Sequence, residues 1–324
     1  MQNVKRRALV ASAAALVASS ARAQGDAWPS RPLRLVVPWP AGGPADLIAR
    51  PIAQRLQDAL GKPVVVDNRP GANGEIGVNH VILSPNDGYT LLLGHVGPVC
   101  ISPATNPHLP YRPLNDLTPV ARVVSAPLVM VARPGLNIST MPQLIALAKS
   151  RPDGLVFGSV GVGSTTHLAA EMLKRAADIP LLHVPYAGAP PVVTDMLAGR
   201  VDLSCLNVSG VQSFIQDGKL IAIATTTAQR PRTFPNLPTV AETVPGFEVN
   251  SWHGILGPAG LSPAIVQRLW TEIAAIMAQA ELRDALLRQG LEPEATGPAD
   301  FAAIMRQDTQ RWAEAVRAAN LTRE

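Results

Sequence analysis

Cysteine is scarce: Cys100 and Cys205 are the only two in 324 residues, too few for a disulfide-dense scaffold. Whether they pair or lie apart as buried thiols is open at this level, because pairing needs their Cα atoms within about 7 Å. The histidines, His80, His95, His108, His167, His183 and His253, are scattered. No structural-zinc spacing exists, so no metal is expected. Charged residues are 16% of the chain, aromatic residues 4%, and only five of the 28 cationic residues are lysine. No run of arginine makes a basic patch, which argues against a protein that tracks a phosphate backbone; no nucleic-acid partner is expected. A Walker A lysine motif and a full G-x-G-x-x-G fingerprint are both missing, and no cofactor is expected.

What the chain has in quantity is apolar residues (47%), 31 prolines and 25 glycines. That composition excludes a disordered or collagen-like chain and allows two compact lobes with real cores. Residues 1–23 read as a signal peptide. Lys5, Arg6 and Arg7 precede an apolar run from Ala8 to Ala18, and Ala21-Arg22-Ala23 is a small-x-small cleavage signature. The run is about half the roughly 20 residues that a membrane span needs, so a periplasmic product is expected. Four of the 28 basic residues fall in this segment and none of the 24 acids does, so the remainder is formally neutral.

Short β-rich runs alternate with amphipathic segments, which argues for an α/β fold. Leu33–Val37, Val64–Val66 and Tyr89–Leu93 read as strands. Asp46–Leu60 reads as a helix interrupted at Pro51, with Gly61 ending it. Pro98 to Pro119 reads as irregular surface chain. A second α/β unit begins at Leu128–Val131, followed by a helix capped by Thr140 and ending near Ser150. Leu155–Phe157, Leu181–Val184 and Leu220–Ile223 read as further strands. Ser262-Pro263 starts a C-terminal helix with Ile265, Leu269 and Ile273 on one face, and Phe301–Ala318 forms another. The simplest division is lobe 1 at 24–124 plus 251–324 and lobe 2 at 125–250.

The chemical clue is where small residues fall. Pro38-Trp39-Pro40-Ala41-Gly42-Gly43-Pro44-Ala45-Asp46 joins a strand to a helix. Gly71, Ala72 and Gly74 follow the second strand, Gly94 and His95 the third, and Gly158 to His167 a strand of the middle lobe. Ligands of open α/β sheets bind beyond the carboxyl ends of strands. Glycine lets backbone approach a ligand, and helix N–H groups offer donors to an anion. Each loop alone could also be an ordinary tight turn. Asp46 suits a helix cap as well as a ligand contact, and Trp39 and Tyr186 suit packing as well as a pocket wall. The nearest approach to a nucleophile elbow, Phe157-Gly158-Ser159-Val160-Gly161, lacks the first glycine of G-x-S-x-G. No catalytic residue is therefore assigned.

At these loops the chain resembles the Bug/TctC family of extracytoplasmic solute receptors. The resemblance runs through Arg34-Leu35-Val36-Val37-Pro38-Trp39-Pro40-Ala41-Gly42-Gly43, Val66-Asp67-Asn68-Arg69-Pro70-Gly71-Ala72 and Asp87-Gly88-Tyr89-Thr90-Leu91-Leu92. It continues in Leu117-Thr118-Pro119-Val120, His183-Val184-Pro185-Tyr186-Ala187-Gly188, Gly199-Arg200-Val201-Asp202-Leu203 and Leu237-Pro238-Thr239-Val240. It implies a type II periplasmic-binding-protein fold, two lobes with an interlobe cleft, and a monomer. It implies capture of a mono- or dicarboxylate for a tripartite tricarboxylate transporter, with a two-subunit membrane permease as partner. The implied ligand-binding residues are Trp39, Ala41, Gly42, Gly43, Ala45, Asp46, Gly71, Ala72, Gly74, Gly94, His95, Ser164, Thr165, His167, Tyr186, Asp202 and Asn207. Ala45 departs from the Thr or Ser of many relatives and so lacks a hydroxyl. A ligand-dependent periplasmic sensor, or a periplasmic serine hydrolase using Ser159 or Ser164, are the alternatives.

Overall fold

The computed structural model describes residues 28–321; the signal-peptide reading lies outside the described residues. Ten strands form one curled mixed sheet in the order β2-β1-β3-β9-β4-β7-β5-β6, with β8 and β10 also pairing β4. β1 is Leu33–Val37, β2 Val64–Asn68, β3 Thr90–His95, β4 Leu117–Ala132 and β5 Leu155–Ser159. β6 is Leu181–Pro185, β7 Leu203–Asn207, β8 Ile221–Thr225, β9 Asn250–Pro258 and β10 Glu292–Thr296. β1 lies parallel between β2 and β3, and β5 lies parallel between β6 and β7. Leu91, Leu92 and Leu93 are all buried, as expected of a strand covered by helices on both faces. Burial of each contributes roughly 2 kcal/mol.

β4 ties the two halves together. Leu117 to Pro127 pairs antiparallel with β9, and Leu128 to Ala132 pairs with β7. The 16-residue strand starts eleven positions before the run expected at Leu128, because Pro119 and Pro127 sit within it without ending it. β9 in turn pairs antiparallel with β3, placing His253 opposite His95. Both halves of the sheet therefore share two long strands, and the carboxyl ends of β1, β3, β5 and β7 face a common space.

The helices follow their sequence signals closely. α1 (Pro44–Leu60) runs through Pro51 and ends at Gly61, whose left-handed backbone (φ 65°) donates to the Gln57 carbonyl. Its start, two residues earlier than expected, uses Pro44, which needs no N–H in the first turn. α2 is Glu75–Ile82 and α3 Met141–Ser150, the latter capped by the Thr140 hydroxyl. α4 (Thr165–Ala176) is capped by Ser164, α5 is Ala189–Leu197 and α6 Val208–Gln216. α7 (Pro263–Met277) begins at the Ser262 cap, α8 is Ala280–Leu287 and α9 Pro298–Ala319. α5, α6, α8, β7, β9 and β10 were not anticipated.

The expectation of irregular surface chain from Pro98 to Pro119 holds only for 106–112. A π-turn at Gly97–Ile101 and helical turns at Ser102–Thr105 and Pro113–Asp116 fill most of the remainder, and Val99, Cys100 and Ile101 are buried. Pro98, Pro103 and Pro113 stand at first-turn positions, where they start helical turns instead of preventing them. α9 closes over this segment: Cys100 Sγ contacts the Met305 carbonyl, and Trp252 packs edge-on against Phe301 with ring centroids 5.1 Å apart. Cys100 and Cys205 are free, buried thiols.

Candidate functional site

A cavity of about 490 Å³ lies where the strand ends converge, within the size range of small-molecule sites. From the β1–α1 loop it is lined by Trp39 through Ala45; from the loop after β2 by Asn73; from β3 and the turn after it by His95, Gly97 and Ile101. Across the space stand Val160 and Gly163 through Thr166 at the start of α4, with Leu128, Asn207, Ser251 and His253 contributed by β4, β7 and β9. Among the described residues, no Lys, Arg, Asp or Glu lines this cavity. A larger groove of about 1170 Å³ between α4 and α9 does carry charge, including Lys174, Arg175 and Arg311, but none of the strand-end loops reaches it.

Two helix N-termini open on the cavity. The first-turn N–H groups of a helix have no intrahelical partner, and the helix dipole places about half a positive charge there. On one side Pro44 has no N–H to offer and the Asp46 amide is taken up by the Gly43 carbonyl at 3.0 Å, which leaves the Ala45 amide at the start of α1. On the other, Thr165 and Thr166 begin α4, while the next amide, His167, is taken up by the Ser164 hydroxyl at 3.2 Å. The arrangement can hold an anion without a salt bridge.

Hydrogen bonds from side chains of the loops and their neighbours hold each loop in place. The Asp46 carboxylate, 3% exposed, accepts from the Gly42 amide at 2.7 Å, Asn68 Nδ2 at 2.8 Å and Arg50 Nε at 3.0 Å. Burial would raise this carboxyl, but the hydrogen bonds from Asn68, Gly42 and Arg50 outweigh it and hold it below the usual range. Asp46 is thus an internal staple and does not line the cavity, and the Gly42 N–H is already engaged. In the facing loop, Thr166 Oγ1 accepts from the Val160 amide at 2.9 Å, and Ser164 Oγ donates to the Gly161 carbonyl at 2.7 Å. His167 Nδ1 accepts from the Gly163 amide at 3.1 Å, and its ring stacks on His183 with centroids 3.7 Å apart. Burial, then His183 and Lys174, push His167 down to about 4, so the ring is neutral.

Of the residues expected at the site, Trp39, Ala41, Gly42, Gly43, Ala45, His95, Ser164, Thr165 and Asn207 line the cavity. The others stand elsewhere. Gly71, Ala72 and Gly74 shape the loop behind it: Gly74 (φ 92°) packs against Pro98, Pro38 and Trp39, and it is Asn73 that reaches the space. Gly94 lies under Leu256, where a Cβ would come within 2.3 Å of Leu256 Cδ1. His167 supports the loop. The Tyr186 hydroxyl donates to Asp195 at 2.7 Å and so is spent outside the cavity. Asp202 precedes β7, at the end of that strand opposite Asn207. It pairs with Arg133 at 2.9 Å, accepts from the Val156 amide at 3.1 Å and does not line the cavity.

The residues missed by sequence reasoning include Asn73, Thr166, Ser251 and His253. Thr166 lay inside the recognised loop. Ser251 and His253 have no local signal, since only the pairing of β9 with β3 and β4 brings them in. Trp39 stands edge-on to both His95 and His253, with centroids at 5.2 and 6.1 Å. Ser159 is fully buried, with its hydroxyl 2.6 Å from His183 Nε2, and neither residue lines the cavity.

With this geometry in view, a family model described as the tripartite tricarboxylate transporter family receptor matches residues 48–321. The chain belongs to that receptor family. BugT of Bordetella pertussis is 36% identical over 300 residues, covering 92% of each chain. The solved structure of R. palustris Rpa4515 with adipate is 34% identical, with a TM-score of 0.79, covering 90% of this receptor and 98% of that chain. The periplasmic binding protein BugD is 33% identical, with a TM-score of 0.76, covering 92% of this receptor and all of that chain. The receptor thus shares the two-lobed periplasmic-binding-protein fold of these solved structures. Among its described residues no helix is long and apolar enough to cross a membrane.

Proposed function

We propose that this receptor captures a small organic carboxylate in the periplasm and delivers it to a two-subunit permease of the tricarboxylate-transporter type. One observation carries the reading: the N-termini of α1 and α4 open on one cavity whose lining, among the described residues, has no charged side chain. An anion there gains from both dipoles, each contributing roughly 0.3–1 kcal/mol and up to about 2 when partly buried. Hydrogen bonds to a charged acceptor add about 1.5–3 kcal/mol each. The adipate of the Rpa4515 structure supports the ligand class.

The lobes that close on the ligand are 24–124 plus 251–324 and 125–250, with β4 and β9 as the connecting strands. The change of β4 partner between Pro127 and Leu128 supports that boundary. Trp39, Gly43 and Ala45 approach the ligand from lobe 1, and Ser164, Thr165 and Asn207 from lobe 2. Isothermal titration of the purified receptor against linear mono- and dicarboxylates, with a neutral sugar as control, tests the reading. Binding of a carboxylate with a matching rise in Tm is expected. Failure of every organic acid alongside binding of a neutral solute sinks it.

A further inference from the structure

His253 is the polar group of the cleft that the rest of the protein leaves least satisfied. It is 8% exposed and lines the cavity, yet its Nδ1 is sealed from solvent without a hydrogen-bond partner. A proton on Nδ1 would bury a donor with nothing to receive it. A proton on Nε2 leaves only a lone pair unmet at Nδ1, the milder defect. Nε2–H is therefore the donor, and Nε2 is the nitrogen that keeps access to the cavity.

The neighbouring ring is assigned by the same bond-by-bond logic. His95 Nδ1 accepts from the Gly97 amide at 3.0 Å, so its proton sits on Nε2, 2.7 Å from Ser251 Oγ. Ser251 accepts that bond, and its own hydrogen is left free to donate into the space it lines. Ser251 and His253 are two residues apart on β9, which puts both side chains on one face of the strand. Burial holds the rings of His95 and His253 neutral at pH 7. The strand thus presents two uncharged donors side by side, next to Trp39.

Charge then limits what can lie there. Two helix N-termini supply roughly one positive charge between them, enough for one carboxylate. A second carboxylate at Ser251 and His253 would be stripped of water against neutral donors alone, which is costly. An uncharged carbonyl oxygen would satisfy both donors without that cost.

We propose that Ser251 and His253 form a neutral donor pair that reads a carbonyl oxygen of the ligand. The cleft therefore selects monocarboxylates bearing a second, uncharged carbonyl, such as half-amides and keto acids, over dicarboxylates of the same length. This deepens the carboxylate reading above and rests on it. Adipate, the ligand of the relative, is the kind of acid it ranks second.

The test is calorimetric titration of the receptor with matched sets: adipamate, adipate and hexanoate, then glutaramate, glutarate and pentanoate. In one set or both, the half-amide is expected to bind at least about tenfold tighter than the other two acids, the scale of one satisfied buried hydrogen bond. Ser251→Ala and His253→Phe each weaken the half-amide about tenfold more than they weaken the simple monoacid, while His253→Gln, which keeps an N–H donor, restores part of the difference. A dicarboxylate that binds tighter than its half-amide overturns the proposal and leaves the carboxylate reading intact. An equal loss for half-amide and monoacid in the variants also overturns it. If no acid binds, both readings fall. Should His253→Phe fail to fold, Ser251→Ala and the ranking of acids by the unmutated receptor decide the matter.

Discussion

The loop after β1 and the loop after β5 each deliver a helix N-terminus to the cleft, but they are held by different chemistry. The first is stapled by a buried charge, with the Asp46 carboxylate drawing in Gly42, Asn68 and Arg50. The second is held by neutral groups: hydroxyls of Ser164 and Thr166 and the imidazole of His167. The first staple sits behind the wall, whereas Ser164 and Thr166 of the second also line the cavity. What differs is what happens in acid and on mutation. A carboxylate with several donors cannot be replaced by water once buried, whereas the hydroxyls contribute only neutral, individually modest bonds.

The contrast is broken most directly at Asp46. Asp46→Ala leaves the Gly42 amide and one of the two Asn68 Nδ2 hydrogens without an acceptor, the other still going to the Trp39 carbonyl, and is expected to destabilise the protein by about 2–4 kcal/mol. Urea unfolding reads the loss, and a value below that of Ser164→Ala would refute the ranking of the two loops. Acid comes next. Burial has lowered His95 and His167 to about 4 from 6.5, so the unfolded chain binds protons in that window and the folded one does not. The stability these rings contribute is complete above about pH 6.5 and is lost as pH falls toward 4, by roughly 2–3 kcal/mol for each ring. Asp46, lowered as well, adds a loss in the same direction at still lower pH. His167→Gln is expected to flatten the fall in Tm between pH 7 and 4.5; an unchanged slope would show that the ring is not neutral in the folded state.

Ser164→Ala removes one helix cap, with an expected cost of about 1 kcal/mol and a several-fold weaker grip on a carboxylate, both visible in one thermal-shift titration. Tyr186→Phe should do least. Its hydroxyl serves Asp195 and not the cavity, so ligand affinity is expected to stay within about twofold while stability drops by about 0.5–1.5 kcal/mol. A tenfold loss of affinity would return Tyr186 to the site.

Much of the scaffold was legible because its signals are local. Leu33–Val37 is a strand over the expected span, Thr140 and Ser262 cap the expected helices, and Gly61 ends α1 in the left-handed conformation. The loops were found for the same reason: glycine, proline and serine mark a strand-to-helix turn wherever it occurs. Errors came where burial overrode local composition. Val99, Cys100 and Ile101 are core despite the prolines around them, and β4 runs through two prolines because its partners on both sides hold it.

The site divides in the same way. By itself the chain determined which loops could meet an anion, since small residues before a helix act through backbone donors that need no partner from afar. Only the tertiary structure decided which side chains face the cavity. Asp46, Tyr186 and Asp202 have the chemistry of ligand contacts, but Arg50, Asp195 and Arg133 claim them. Ser251 and His253 have no local mark and enter because β9 pairs with β3 and β4. Hydrogen-bonding capacity is a property of a residue; what uses it up is a property of its neighbours in space.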